Sequence, residues 1–167
     1  IAQECEDARV PADVTAEFLL EAGDVDRAAV FLLDAVAGLR ADGRKARLDV
    51  LLRMALDSVP TSSPHYGRLQ LEHLRTRSAA RLERSIVDEA LEAAEAYRDR
   101  EVTSGLVALA ISLFSRLREW EALEACCRDW RGRLGSWVDD KLAWARAVRA
   151  LAEGETEAAA NLVAGSE

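Results

Sequence analysis

Apolar residues recur at three- and four-residue steps along most of this chain, and strict alternation is almost absent. Ala28, Leu32, Ala35 and Leu39 form one such stripe, and Leu106, Leu109, Leu113 and Leu117 form another. At 3.6 residues per turn each stripe is one buried face of a helix. With only three prolines to interrupt the pattern, the chain reads as all-α. Caps and breakers divide it. Pro11 suits a first helical turn, Ser63-Pro64 reads as a cap followed by a proline start, and Ser85 with Asp88 and Ser136 with Asp139 read as capping boxes. Asp42-Gly43, Gly132 to Gly135, Gly23 and Gly154 mark turns. The pattern predicts nine helices, over 12–22, 25–41, 44–59, 64–83, 85–99, 102–117, 119–132, 137–153 and 155–165.

The segment Gly23-Asp24-Val25-Asp26-Arg27-Ala28 returns near the end as Gly154-Glu155-Thr156-Glu157-Ala158-Ala159. Taking the alanine after each turn as an anchor, a small residue stands twelve positions upstream in four places: Ala16 before Ala28, Ser78 before Ala90, Ala110 before Ala122 and Ala147 before Ala159. Small side chains at those positions let antiparallel helices approach at the short end of the ~8–10 Å range. The anchors are separated by 62, 32 and 37 residues. Arg118-Glu119-Trp120-Glu121-Ala122-Leu123 has no glycine at its turn, and a shift of one residue would make Leu123 its anchor. Between Lys45 and Ser63 the motif is missing, although Leu48, Leu51, Leu52, Ala55 and Val59 keep helical register.

This spacing resembles the tetratricopeptide repeat, whose period is about 34 residues. The likeness is best over Ala16 to Leu39, with Gly23, Asp24, Asp26, Ala28 and Ala35 in the family's places, and over Ala143 to Val163. The early aromatic of the repeat is replaced by Ala12, Leu74, Leu106 and Ala143, and its closing proline is missing. The resemblance implies a right-handed α-α superhelix of about nine antiparallel helices in a single domain, with Pro60-Thr61-Ser62-Ser63-Pro64 as an irregular connection. Division of the chain into two subdomains near residue 61 is the alternative. The Ala-, Leu- and Arg-rich repeats also look like the helical superhelix of bacterial signalling ATPases and transcription regulators of the maltose-activator type. That likeness implies a sensor or docking arm, and the opening without Met reads as a piece excised from a longer protein.

Charge narrows the partners. The chain has 167 residues, 50% of them apolar, and a net charge of -8, which disfavours a nucleic-acid backbone as a direct partner. The apolar run from Gly105 to Phe114 is half the roughly 20 residues of a membrane-spanning helix, so no span is expected. Cys5, Cys126 and Cys127 form neither an even disulfide set nor a CxxC site. They read as structural thiols in a reducing cytoplasm.

Chemistry-bearing motifs are scarce. No glycine-rich phosphate loop is present, and Gly132-Arg133-Leu134-Gly135 reads as a helix end. His65 and His73 lie eight residues apart, about 12 Å along one helix, so they cannot share a metal and read as surface histidines. Acid pairs such as Asp24 with Asp26 and Asp139 with Asp140 read as caps and solvated faces. No cofactor, metal or catalytic set is expected, and the chain reads as a non-enzyme.

Arg68, Arg75, Arg77, Arg81 and Arg84 make one basic helix, with Arg77, Arg81 and Arg84 on one side. They read as paired with Glu72, Glu83 and acids of the next helix, or as a dock for an acidic segment. Four tryptophans fall within 25 residues. Trp120 and Trp130 share a core stripe with Leu123 and Cys127, whereas Trp144 lies on a face with Val148 and Leu151. If the repeat resemblance holds, the inward lining comprises Glu17, Leu20 and Glu21, then Arg75, Ala79 and Leu82, then Val107, Ile111 and Phe114, then Trp144. One asparagine, Asn161, and two lysines argue against the family's carboxylate clamp. The expected function is binding of a protein, a peptide or another domain of the same chain, with Glu17, Glu21, Arg75, Arg77, Arg81, Arg84, Phe114 and Trp144 as partner-binding candidates. A small-molecule sensor closing its aromatic-rich C-terminal part on a ligand is the rival.

Overall fold

The computed structural model describes residues 10–164, and among them helices are the only regular elements, with no strand. They are α1 (Ala12–Glu21), α2 (Val25–Ala41), α3 (Lys45–Ser58), α4 (Tyr66–Ala80), α5 (Arg84–Ala96), α6 (Arg100–Leu117), α7 (Trp120–Leu134), α8 (Ser136–Ala152) and α9 (Thr156–Ala164). Each lies within three residues of its expected span, because apolar periodicity decides which residues share a face. Cys5, Gly165, Ser166 and Glu167 lie outside the described residues, as does the side chain of Val163.

The chain divides into two compact units between Ala80 and Arg81. The proline-bounded segment at 60–64 is therefore internal to the first unit. Val59 turns extended (ψ 127°) and stops α3. The Ser63 hydroxyl donates to Asp26 Oδ1 at 3.0 Å, at the start of α2. The expected Ser63-Pro64 cap thus gives way to a tether, and α4 begins two residues beyond Pro64.

In the first unit each helix packs on the next, and α1 also touches α3 while α2 touches α4. Ala16, Leu19, Ala28, Leu32, Leu48, Leu52 and Leu69 are fully buried between them. Each leucine removed from water contributes about 1.5–3 kcal/mol. Two charged ties cross this packing. Asp13, nearly buried in the first turn of α1, takes Arg47 at 2.6 Å and Arg44 at 3.1 Å, both from the start of α3. Arg40 of α2 reaches Glu72 at 2.6 Å and the Thr76 hydroxyl at 3.3 Å, both on α4.

The second unit is arranged around α6, which packs on α5, α7 and α8. Its Leu106, Val107, Ala110, Ile111, Leu113 and Phe114 are all buried. At its start, Asp99 caps the helix by accepting from the backbone N–H groups of Glu101 (2.8 Å) and Val102 (3.2 Å). Neither expected capping box forms. Both helices begin earlier than the boxes require, with Glu83 and Gly135 at the cap positions, and the acids pair with arginines instead, Asp88 with Arg84 at 3.1 Å and Asp139 with Arg131 at 3.2 Å. Helix α5 stops at Ala96, three residues early, where Tyr97 turns extended. Arg133 reaches the freed carbonyls of Ala94 and Tyr97 at 3.5 and 3.3 Å, and its guanidinium lies 4.5 Å over the Trp130 ring.

One turn recurs four times. At Gly23 (φ 78°), Gly43 (φ 72°), Arg118 (φ 60°) and Gly154 (φ 84°) the backbone is left-handed. Each time the following N–H reaches back five residues, from Asp24 to Leu19, Arg44 to Leu39, Glu119 to Phe114 and Glu155 to Ala150. This is the Schellman helix end, in which the left-handed residue lets two N–H groups satisfy carbonyls of the closing turn. Five residues after each left-handed position stands a buried side chain: Ala28, Leu48, Leu123 and Ala159. Leu123 is therefore the third anchor and Ala122 is half-buried, so the one-residue register shift is the observed one. The turn at Gly43 also has its buried anchor, Leu48, inside the Lys45 to Ser63 segment from which the sequence pattern is missing. Ala90 follows no such turn, and its partner Ser78 belongs to the other unit. Since Gly23 and Gly43 close consecutive helices, the turn marks a tight helix connection and does not by itself count helix pairs.

Candidate functional site

The eight residues expected to bind a partner divide between the two units: Glu17, Glu21, Arg75 and Arg77 in the first, and Arg81, Arg84, Phe114 and Trp144 in the second. Glu17 is tied to Arg47 at 2.9 Å, and Arg75 to Glu72 at 2.7 Å. Glu21 is exposed. The basic helix is not continuous: α4 ends at Ala80, so Arg77, Arg81 and Arg84 do not share a helical side. Arg81 lies 3.7 Å from Glu83, and Arg84 pairs with Asp88 and with Glu119 of the α6–α7 connection. Phe114 leaves the expected lining altogether. It is 2% exposed, and the Arg84 guanidinium lies 4.8 Å over its ring. Val107 and Ile111 are likewise core residues.

Trp144 stays outside. It is 50% exposed and Leu151, seven residues on, is 58% exposed, with half-buried Val148 between them. Ala147 and Ala150 are buried on another side of the same helix. Two turns of α8 thus present large apolar side chains to solvent.

A groove runs along α7 and α8 on a different side. At its head, Arg118, Trp120 and Arg149 line an open cleft of about 410 Å³, together with Glu119, Glu121 and Ala122. Between head and foot it narrows to about 10 Å³ against Leu123, Ala145 and Arg146, the first two of them buried, so the two clefts are joined by a shallow surface. At its foot a cleft of about 140 Å³ is lined by Cys127, Leu142, Arg128 and Arg131, with Glu124 and Asp139. Five arginines here face four carboxylates, in a chain whose net charge is -8. Several of these charges are already committed. Glu124 holds Arg146 at 3.1 Å, Asp139 holds Arg131 at 3.2 Å, and Arg149 is held by Glu153 at 2.9 Å. Arg118 and Arg128 are exposed and have no ion-pair partner among the described residues. Sequence reasoning missed this site because its arginines are spread over three elements and make no run.

The groups capable of covalent or metal chemistry are engaged elsewhere. Burial pushes the thiol of Cys126 up to about 12, with Cys127 and Asp129 adding to the effect. Cys127 is pushed up to about 11, again chiefly by burial, against the opposing charge of Arg146. His73 is not a surface residue: its side chain is 16% exposed, and its Nε2 lies 3.4 Å from Asp49 Oδ1 across α3 and α4. His65 is half-buried just before α4. Among the described residues no three His, Cys, Asp or Glu side chains converge as metal ligands, and no helix is long and apolar enough to cross a membrane. No protein-family model, curated protein or solved structure matches the chain.

Proposed function

We propose that this chain is a non-catalytic interaction module of a larger, cytoplasmic regulatory protein, binding a peptide, a helix or a neighbouring domain. The observation that carries the reading is the exposed Trp144, Val148 and Leu151 face of α8. Large apolar side chains held together on one helix are costly to leave in water unless something covers them. Tryptophan is moreover the side chain most enriched among residues that dominate binding energy. Contacts between alternate helices within each unit support a stack of helix pairs of the tetratricopeptide kind.

Selecting displayed random peptides on the full chain tests this. Binders that weaken about tenfold when Trp144 and Leu151 are both changed to Ala support it; a chain that enriches no peptide sinks it. A second reading, a small-molecule sensor, is favoured by the cleft of about 410 Å³ between Arg118, Trp120 and Arg149, in the aromatic-rich C-terminal part of the chain. A thermal-shift screen with small organic anions decides it, since a specific ligand raises the unfolding midpoint.

A further inference from the structure

We propose that the groove between α7 and α8 receives an acidic peptide segment of a partner protein, with carboxylates held by Arg118 and Arg128 and an apolar side chain seated on Trp120. The inference rests on the interaction-module reading but concerns another surface. At 100° per residue, Leu142 of the groove and Trp144 of the exposed face point about 160° apart around α8.

Charge complementarity identifies the occupant. The lining is positive by one in a chain that is negative by eight. Arg118 lines the head of the groove and Arg128 its foot, each exposed and without an acid of its own among the described residues. A carboxylate arriving at either breaks no existing pair, whereas one arriving at Arg146 would compete with Glu124 and one at Arg131 with Asp139. A guanidinium offers two parallel donors to a carboxylate, which fixes its plane as well as its position.

Arg118 stands on the α6–α7 connection, two residues before α7 begins, and Arg128 lies eight residues into that helix, about 12 Å along it at 1.5 Å per residue. Acids about four residues apart in an extended peptide cover that helical length at about 3.3 Å per residue. Between them the half-buried indole of Trp120 and the side chain of Leu142 give an apolar residue somewhere to sit. A basic segment would leave both arginines uncompensated and repelled. An uncharged one would use only the floor.

The experiment selects displayed random peptides of about twelve residues, long enough to cover the groove in either conformation, against the full chain. Selected sequences are resynthesised with fluorescein and titrated by anisotropy. One class is expected to carry two or more Asp or Glu residues around a Leu, Phe or Trp. Arg118→Gly combined with Arg128→Gln is expected to weaken that class about tenfold or more. Trp144→Ala with Leu151→Ala is expected to leave it unchanged. Arg118→Gly also relieves a left-handed backbone position, so lost binding with an unlowered unfolding midpoint cannot be misfolding. Acidic peptides indifferent to the double arginine variant overturn the proposal, as does an enriched set without acids. Displacement of the peptide by sodium glutarate at the peptide's own concentration also overturns it, in favour of a small-anion site. Peptides weakened only by the Trp144 and Leu151 changes sink the groove and leave the interaction module standing. If no peptide is enriched, both readings fall.

Discussion

Arg118 occupies at the α6–α7 connection the left-handed backbone position that Gly23 occupies between α1 and α2, with φ of 60° against 78°. The bonds closing the two turns match: Glu119 N–H to the Phe114 carbonyl at 3.0 Å, and Asp24 N–H to the Leu19 carbonyl at 2.9 Å. A side chain in this conformation costs about 1 kcal/mol that glycine avoids. Arg118→Gly is therefore expected to stabilise the chain by about 0.5–1 kcal/mol, the gain being trimmed by the greater freedom of glycine when unfolded. Gly23→Ala should cost about 1 kcal/mol. A Cβ there meets nothing within 4 Å, so backbone conformation alone is read. Urea midpoints of the two variants measure both, and opposite signs are required.

Asp13 gives the first unit an acid-sensitive tie. Burial, the largest single influence, would raise its carboxyl, but the Arg47 hydrogen bond and the charges of Arg44 and Arg47 together hold it below the ordinary aspartate value. A depressed folded value means the stabilisation is complete above about pH 4 and is lost as pH falls through the folded value. Asp13→Asn should cost about 1–2 kcal/mol, discounted because Arg44 and Arg47 remain partly solvated. It should also flatten this part of the acid limb in urea titrations run between neutral pH and pH 2. Glu17→Gln, a half-exposed partner of Arg47, should change stability by less than about 0.5 kcal/mol.

Arg133 does more for the fold than its ion pair suggests. Glu95, its partner at 2.7 Å, is largely exposed, and such pairs are worth about 0–1 kcal/mol. The guanidinium also covers Trp130 and reaches the carbonyls where α5 stops. Arg133→Ala is expected to cost about 1–2 kcal/mol and Glu95→Ala under about 0.5 kcal/mol. Arg133→Lys should recover little, since an ammonium cannot stack flat on the indole while bridging two carbonyls. Thermal midpoints of the three variants rank them.

Legibility in the sequence followed the physics of each feature. Helix positions were readable because burial of a stripe is periodic, and Leu48 and Ala55 kept register even where the repeat motif lapsed. Turn identity was only half readable. Glycine announces a left-handed residue, so Gly23 and Gly154 stood out, whereas Arg118 adopts the same geometry without any local signal. An alanine anchor describes Ala28 and Ala159 but not Leu48 and Leu123, which fill the same position with a larger side chain. The serine caps fail because the helices start ahead of them, with Glu83 and Gly135 at the cap positions; Asp139 is moreover paired with Arg131 of another helix, which no local pattern shows. A lining role for Phe114 needs one face of α6 to meet solvent, yet α6 packs on three neighbours and has little face to spare. The groove was unreadable because Arg118, Arg128 and Arg149 become neighbours of one surface only after α7 and α8 fold back.

The adjacent thiols of Cys126 and Cys127 should be silent in the folded chain. Raised to about 12 and about 11, they hold at most about one thiolate in a thousand at pH 8, so reagents that need the anion find almost none. In a Cys5→Ser background, labelling by dithionitrobenzoate at pH 8 should await unfolding and appear with the urea transition. The sign of the linkage also follows. The unfolded thiols ionise above about pH 8.5 and the folded ones do not, so stability is full below that pH and declines as it is passed. Rapid labelling without denaturant would contradict the burial of both groups.

The near-absence of lysine has a practical corollary. Only Lys45 and Lys141 carry side-chain amines, one in each unit. The Lys141 amine lies 5.5 Å over the Trp137 ring, on the side of α8 that also carries Trp144 and Val148. An amine-directed fluorophore placed there in a Lys45→Arg background becomes a resident optical reporter, quenched or released as that side of the helix is covered, without any engineered attachment point.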